Sequence, residues 1–178
     1  KIHEIASHSY SHPEFTKLSR KEAEQEIKKS KAKSFVFPRN KIKHIEILTK
    51  NGFIAYRDID KNASELLLPR IPPVGSPENK KGITRIPSSM YFVSARGIRK
   101  YIPKGLRFIK TKLGVDKAIR QGKIFHLWFH PVDFADQTND LLREFEKILQ
   151  YASQKRLQGK LDILTMEQIA YIHNRCIH

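Results

Sequence analysis

The sequence holds a single cysteine, Cys176, among its 178 residues, so no disulfide can form within the chain. With so little cysteine, the redox compartment cannot be read. No apolar run approaches the roughly 20 residues that a membrane-crossing helix needs. There is no internal repeat and no low-complexity tract, which excludes solenoids and repeat arrays. Acidic residues are scarce, 18 Asp and Glu against 34 Lys and Arg, and the formal net charge is +16. An initiating methionine is missing too: Lys1 falls inside an expected strand. Sequence upstream of it is therefore expected, along with any targeting signal, and localisation is not legible.

What is present suits one globular domain over residues 1–178. Hydrophobic residues make up 39% and aromatics 10%, enough for a real core and against wholesale disorder. The positive balance attracts polyanions, whether nucleic acid, anionic lipid or acidic glycan. The basic residues are spread along the chain rather than packed into one block, which weakens a nucleic-acid reading.

Residues 2–6 read as a short buried strand. "LSRKEAEQEIKKSK" follows as a helix, with Ser19 and Glu22 in capping-box spacing. "KSFVFP" is a strand ended by Pro38, "IKHIEILTKNG" a helix stopped at Asn51-Gly52, and "FIAYRD" another strand. Residues 60–90 predict a long irregular loop or lid, since five prolines and two glycines fall between Leu68 and Ser89. Next come a helix over "LRFIKTKLGVDKAIRQG", weakened by Gly114, the strand-like "KIFHLWFHP", and the clearest helix, "TNDLLREFEKILQYASQKRL". "KLDILT" reads as a last strand, after which Thr165 caps "MEQIAYIHNR". The alternation of strands and helices predicts a parallel α/β sheet or barrel, whose ligands bind beyond the C-terminal strand ends.

Several chemically capable residues sit at those ends. His8 and His12 flank Ser-Tyr-Ser in "EIASHSYSHPEF". Neutral imidazole suits zinc and similar ions, and a four-residue spacing lets two rings point at one ion. The bland outcome for H-x-x-x-H is a pair of surface or capping histidines, and a third ligand is needed for a good site. His130 closes "HLWFHP" at the mouth of an apolar strand, where it would serve as general acid or base, or simply as a core-edge histidine. Arg39, in Pro38-Arg39-Asn40, can orient a carboxylate through two hydrogen bonds. Arg57, Asp58 and Asp60 end the third strand. Tyr91, Phe92, Trp128 and Phe134 offer aromatic faces, with Trp128 the preferred one for a sugar ring.

Taken in order, these pieces resemble the polysaccharide deacetylase family. "HEIASHSYSHPEF" is similar to its H-[ST]-x-x-H motif, with His8, Ser9 and His12 in place; "FVFPRN" resembles its arginine-and-proline motif, "LWFHP" its last motif, and "LDILTMEQIAYI" its closing strand and helix. The resemblance covers nearly the whole chain and implies a deformed (β/α) barrel, incomplete here, holding one divalent metal, usually zinc. It assigns His8 and His12 as metal ligands and His130 as the acid that protonates the departing amine. Arg39 takes a catalytic role, and Arg57 and Trp128 take substrate-binding roles. The implied reaction removes acetyl groups from N-acetylated, or in some members O-acetylated, sugars of a polysaccharide or glycan precursor.

The chain also departs from the family pattern. The Thr-Phe-Asp-Asp-Gly motif is absent, and no Asp-Asp pair occurs anywhere. The third metal ligand and the catalytic base are then expected as aspartates upstream of Lys1, in a missing N-terminal segment of the same domain. Arg39 follows Pro38, whereas the family's arginine precedes its proline. Trp128 stands where leucine is usual. The competing readings are an inactive glycan-binding relative and a basic nucleic-acid-binding protein. Under the leading one, the positive charge suits an anionic glycan, a lipid-linked sugar or a membrane surface.

Overall fold

The computed structural model describes residues 3–59 and 70–175, and within it the chain divides into two compact units. The first is built from residues 3–59, 76–87 and 164–175, the second from 70–75 and 88–163.

In the first unit, Ser19 and Glu22 form the expected capping box and start α1 (Arg20–Lys28). Ala23 and Ile27 are its buried face. Strand β1 (Ser34–Val36) lies parallel to β2 (Ala55–Ile59), with Phe35 opposite Tyr56 and Val36 opposite Arg57. Between them run a 3-10 turn at Pro38–Asn40 and helix α2 (Ile45–Lys50). Phe15, Phe35, Phe37, Phe53 and Tyr56 pack edge to face, with ring centroids 4.9–6.1 Å apart. With Ile27, Ile47, Leu48 and Ile83 they form the core under the sheet.

Part of the expected 60–90 loop is regular. β3 (Glu78–Lys80) and β4 (Ile83–Ser88) form an antiparallel hairpin, and the four-stranded sheet runs β1-β2-β4-β3. Lys81 and Gly82 link them with φ of 55° and 78°, the left-handed pair that a two-residue hairpin turn needs. The Gly82 amide donates to Asn79 Oδ1 at 3.1 Å, locking the turn. The proline-rich composition hid this hairpin, because its turn is Lys-Gly rather than the stronger Asn-Gly signal. The remainder of that loop between residues 60 and 69 lies outside the described residues.

Of the strand expected at residues 2–6, the described residues 3–6 are not strand. Only Ser7 bridges to Phe35, through Ser7 N–H to Ser34 C=O and Val36 N–H to Ser7 C=O, each 2.8 Å, while Ile5 is 91% exposed. The strand expected over "KLDILT" is also irregular, with Ile163 and Leu164 exposed. Short apolar runs become strands only where a partner edge accepts them. Thr165 does cap α5 (Met166–Arg175): its hydroxyl accepts from the Gln168 amide, and Gln168 Oε1 accepts from the Thr165 amide.

In the second unit, β5 (Met90–Tyr91) pairs in parallel with β6 (Leu127–Trp128). The strand-like "KIFHLWFHP" thus contributes two paired residues, plus a bridge from Ile124 to Gly75. Helices α3 (Leu106–Gln121) and α4 (Thr138–Leu157) match the periodicity closely. Phe92, Leu141 and Ile148 are buried among Phe108, Phe134 and Phe145. Leu142 and Leu149 on α4 are exposed, so its buried stripe is narrow. Gly114, an apparent weakness in α3, has a packing reason: a Cβ there would overlap the Phe125 ring. Among the described residues there is a mixed α/β arrangement of these two sheets and no closed barrel.

Candidate functional site

The parallel segments of the first unit run Ser7, β1, β2 side by side, and the candidate residues follow where each one ends. His8 and His12 are both exposed, and their Nε2 atoms lie 3.1 Å apart. His8 Nδ1 lies 2.7 Å from the Val36 carbonyl oxygen. A carbonyl only accepts, so Nδ1 carries the proton; with that tautomer Nε2 is the accepting nitrogen, and the His12 Nε2–H donates to it. This is the arrangement that orients a metal-binding histidine through its other nitrogen. A tetrahedral ion with nitrogens at roughly 2.1 Å sets them about 3.4 Å apart, close to the observed separation. Two imidazoles therefore fit a divalent ion such as zinc. Among the described residues, however, no group of three His, Cys, Asp or Glu side chains is placed to hold one.

The turn carrying the pair is held from outside. Ser9 and His12 have φ of 66° and 58°, left-handed values that disfavour side chains. Ser9 Oγ accepts from the His12 amide at 3.1 Å. Glu26, on α1, accepts from the Tyr10 amide at 3.0 Å, the Ser11 amide at 2.8 Å and the Ser11 hydroxyl at 2.7 Å. Partial burial pushes the Glu26 carboxyl up, but the hydrogen bonds from Ser11 and Tyr10 outweigh it and hold the group below the ordinary 4.5. Glu26 thus fixes the tip between the two histidines. No local spacing marks it in the sequence, because its partners lie 15 and 16 residues away.

Beyond β1 the backbone is again unusual. Arg39, Asn40 and His44 all have positive φ, so five of the seven non-glycine residues with that property among those described lie in these two strand-end segments. Arg39 is exposed. Asn40 Oδ1 accepts from Arg57 Nη2 at 2.7 Å, which ties the end of β1 to β2. Burial lowers the Arg57 guanidinium to about 10, still charged at neutral pH. Asp58 is engaged by Arg85 at 2.6 Å across the sheet, a structural ion pair. Asp60 lies outside the described residues.

His130 and Trp128 belong to the second unit. Tyr91 and Trp128 stack with centroids 4.4 Å apart, and His130 stands edge-on to both. The His130 side chain is 54% exposed, and its Nδ1 faces Asp133 Oδ2 at 3.3 Å. The same oxygen accepts the His130 amide at 2.7 Å, and Asp133 Oδ1 accepts the Tyr91 hydroxyl. Burial and then the bond to Asp133 push the Tyr91 phenol up, so it stays a donor at neutral pH. The three-residue spacing in His-Pro-Val-Asp was a readable signal for Asp133, since a 3-10 turn at Pro131–Phe134 brings residues i and i+3 together.

The structure accordingly joins His8 to His12 and Arg57 to Asn40 in one unit, and Trp128 to His130 in the other. No protein-family model matches the chain, and neither a curated protein nor a solved structure matches it.

Proposed function

We propose that the protein is a metal-dependent hydrolase that removes acetyl groups from N-acetylated, or alternatively O-acetylated, sugars of a polysaccharide or glycan precursor. The observation that carries this reading is the His8–His12 pair, with both Nε2 atoms converging and His8 Nδ1 anchored on the Val36 carbonyl. His8 and His12 would hold the ion, zinc being the natural choice for imidazole donors. When bound, the ion supplies Lewis acidity that polarises an acyl carbonyl and acidifies a water. On the family resemblance, the third ligand and the base would be aspartates, and no third ligand stands with the pair among the described residues. His130, held by Asp133, gives its proton to the departing amine. Arg57, braced by Asn40, and Arg39 orient the base or the substrate, and Trp128 with Tyr91 offers a face for the sugar ring.

The test is acetate release from N-acetylated and O-acetylated oligosaccharides, with and without a chelator. Release that stops with chelation and returns with zinc is expected. Release that ignores the chelator refutes the metal-dependent reading. Glycan binding without acetate release favours the inactive relative, a reading supported by the lack of a three-ligand cluster among the described residues.

A further inference from the structure

Residues 88–115 contain no aspartate or glutamate but seven lysines and arginines. Four of the seven are engaged: Arg107 with Glu144, Lys112 with Asp116, Lys104 with Asp140, and Lys110 with the Arg70 carbonyl. Arg96, Arg99 and Lys100 are exposed, just before and on a short 3-10 turn at Gly97–Tyr101, with Lys100 Nζ 5.0 Å from the centre of the Tyr101 ring. Between and beside them stand Ile98, 82% exposed, and Tyr101, 74% exposed. Ala95 and Ile102 are buried on either side, and Ile102 packs with Leu106, Phe125 and Leu127. Hydrogen bonds from Arg99 N–H to Arg96 C=O and from Ile102 N–H to Arg99 C=O, both 3.2 Å, close the turn. This knob therefore exposes two apolar side chains among three exposed cations.

We propose that this knob seats on an anionic lipid surface. Cations near such a surface are attracted by its headgroups, and apolar and aromatic side chains enter the headgroup–acyl boundary. A phosphate backbone would satisfy Arg96, Arg99 and Lys100 but offers Ile98 no apolar depth; a bilayer satisfies both. The proposal does not depend on the deacetylase reading. Where both hold, the substrate is a sugar presented at a membrane.

The experiment is co-sedimentation of the whole protein with vesicles of phosphatidylcholine, alone or with about 30% phosphatidylglycerol, at about 0.1 M salt. Binding to the anionic vesicles only is expected. Replacing Arg96, Arg99 and Lys100 together by alanine should weaken it on the order of a hundredfold, about fivefold per cation. Ile98→Ser with Tyr101→Ser should weaken it about tenfold. All five side chains are exposed, so melting curves should be unchanged. Absence of vesicle binding overturns the proposal, as does binding that the triple variant keeps. If Ile98→Ser with Tyr101→Ser binds vesicles like the parent, and single-stranded RNA competes in parent and variant alike, the knob is a general polyanion site and the lipid assignment falls.

Discussion

The His8–His12 turn of the first unit and the His130 turn of the second use the same side chain with different backing. His8 Nδ1 faces a backbone carbonyl, Val36, whereas His130 Nδ1 faces the buried carboxylate of Asp133. A carbonyl fixes the tautomer without adding charge, leaving Nε2 as a neutral donor for a cation. A carboxylate likewise only accepts, but it sets a negative charge beside the ring. On the proposed function, the first station would hold a metal and the second would move a proton. The difference lies in which atom sits behind each ring, a feature that the spacing of the histidines does not encode.

The sharpest way to break this contrast is to exchange the roles. His8→Ala or His12→Ala should weaken zinc binding by at least about a hundredfold, and His130→Ala should leave it unchanged, as read by calorimetry. Equal losses in all three would erase the distinction. Asp133→Asn should lower acetate release by about a hundredfold, alter its pH profile and spare zinc affinity. An unaltered pH profile would reduce Asp133 to a structural brace for the 3-10 turn.

Gly114→Ala should destabilise the protein by about 1–3 kcal/mol, because the added methyl overlaps the Phe125 ring. Thermal melting would show this, and zinc binding at the His pair should persist below the melting transition. Glu26→Ala should weaken zinc binding by about tenfold through a loosened turn, with Ser11→Ala, which removes one of three hydrogen bonds, doing less. The pH dependence has a definite sign. Glu26 is more acidic folded than unfolded, so its contribution is full above the ordinary value of 4.5 and is lost as pH falls through the lower folded value. A Glu26→Ala variant whose acid denaturation matches the parent would remove Glu26 as a clamp.

Long helices were legible from the sequence. The period of α4 and the capping signals at Ser19 and Thr165 are local, and local chemistry settles them. Short strands were not, since residues 3–6 and 160–165 also carry apolar side chains but find no partner edge, and only Ser7 bridges to β1. The hairpin of β3 and β4 escaped notice among prolines because two left-handed residues, Lys81 and Gly82, carry its turn.

The sequence by itself determined the inventory: the two imidazoles four apart, the strand-end arginines, the helices and the excess of positive charge. Only the tertiary structure decided what stands behind each histidine, that Glu26 clamps the Tyr10–Ser11 tip, and that Gly114 makes room for Phe125. Composition and period are properties of neighbours along the chain, whereas hydrogen-bond partners and close packing join residues many positions apart.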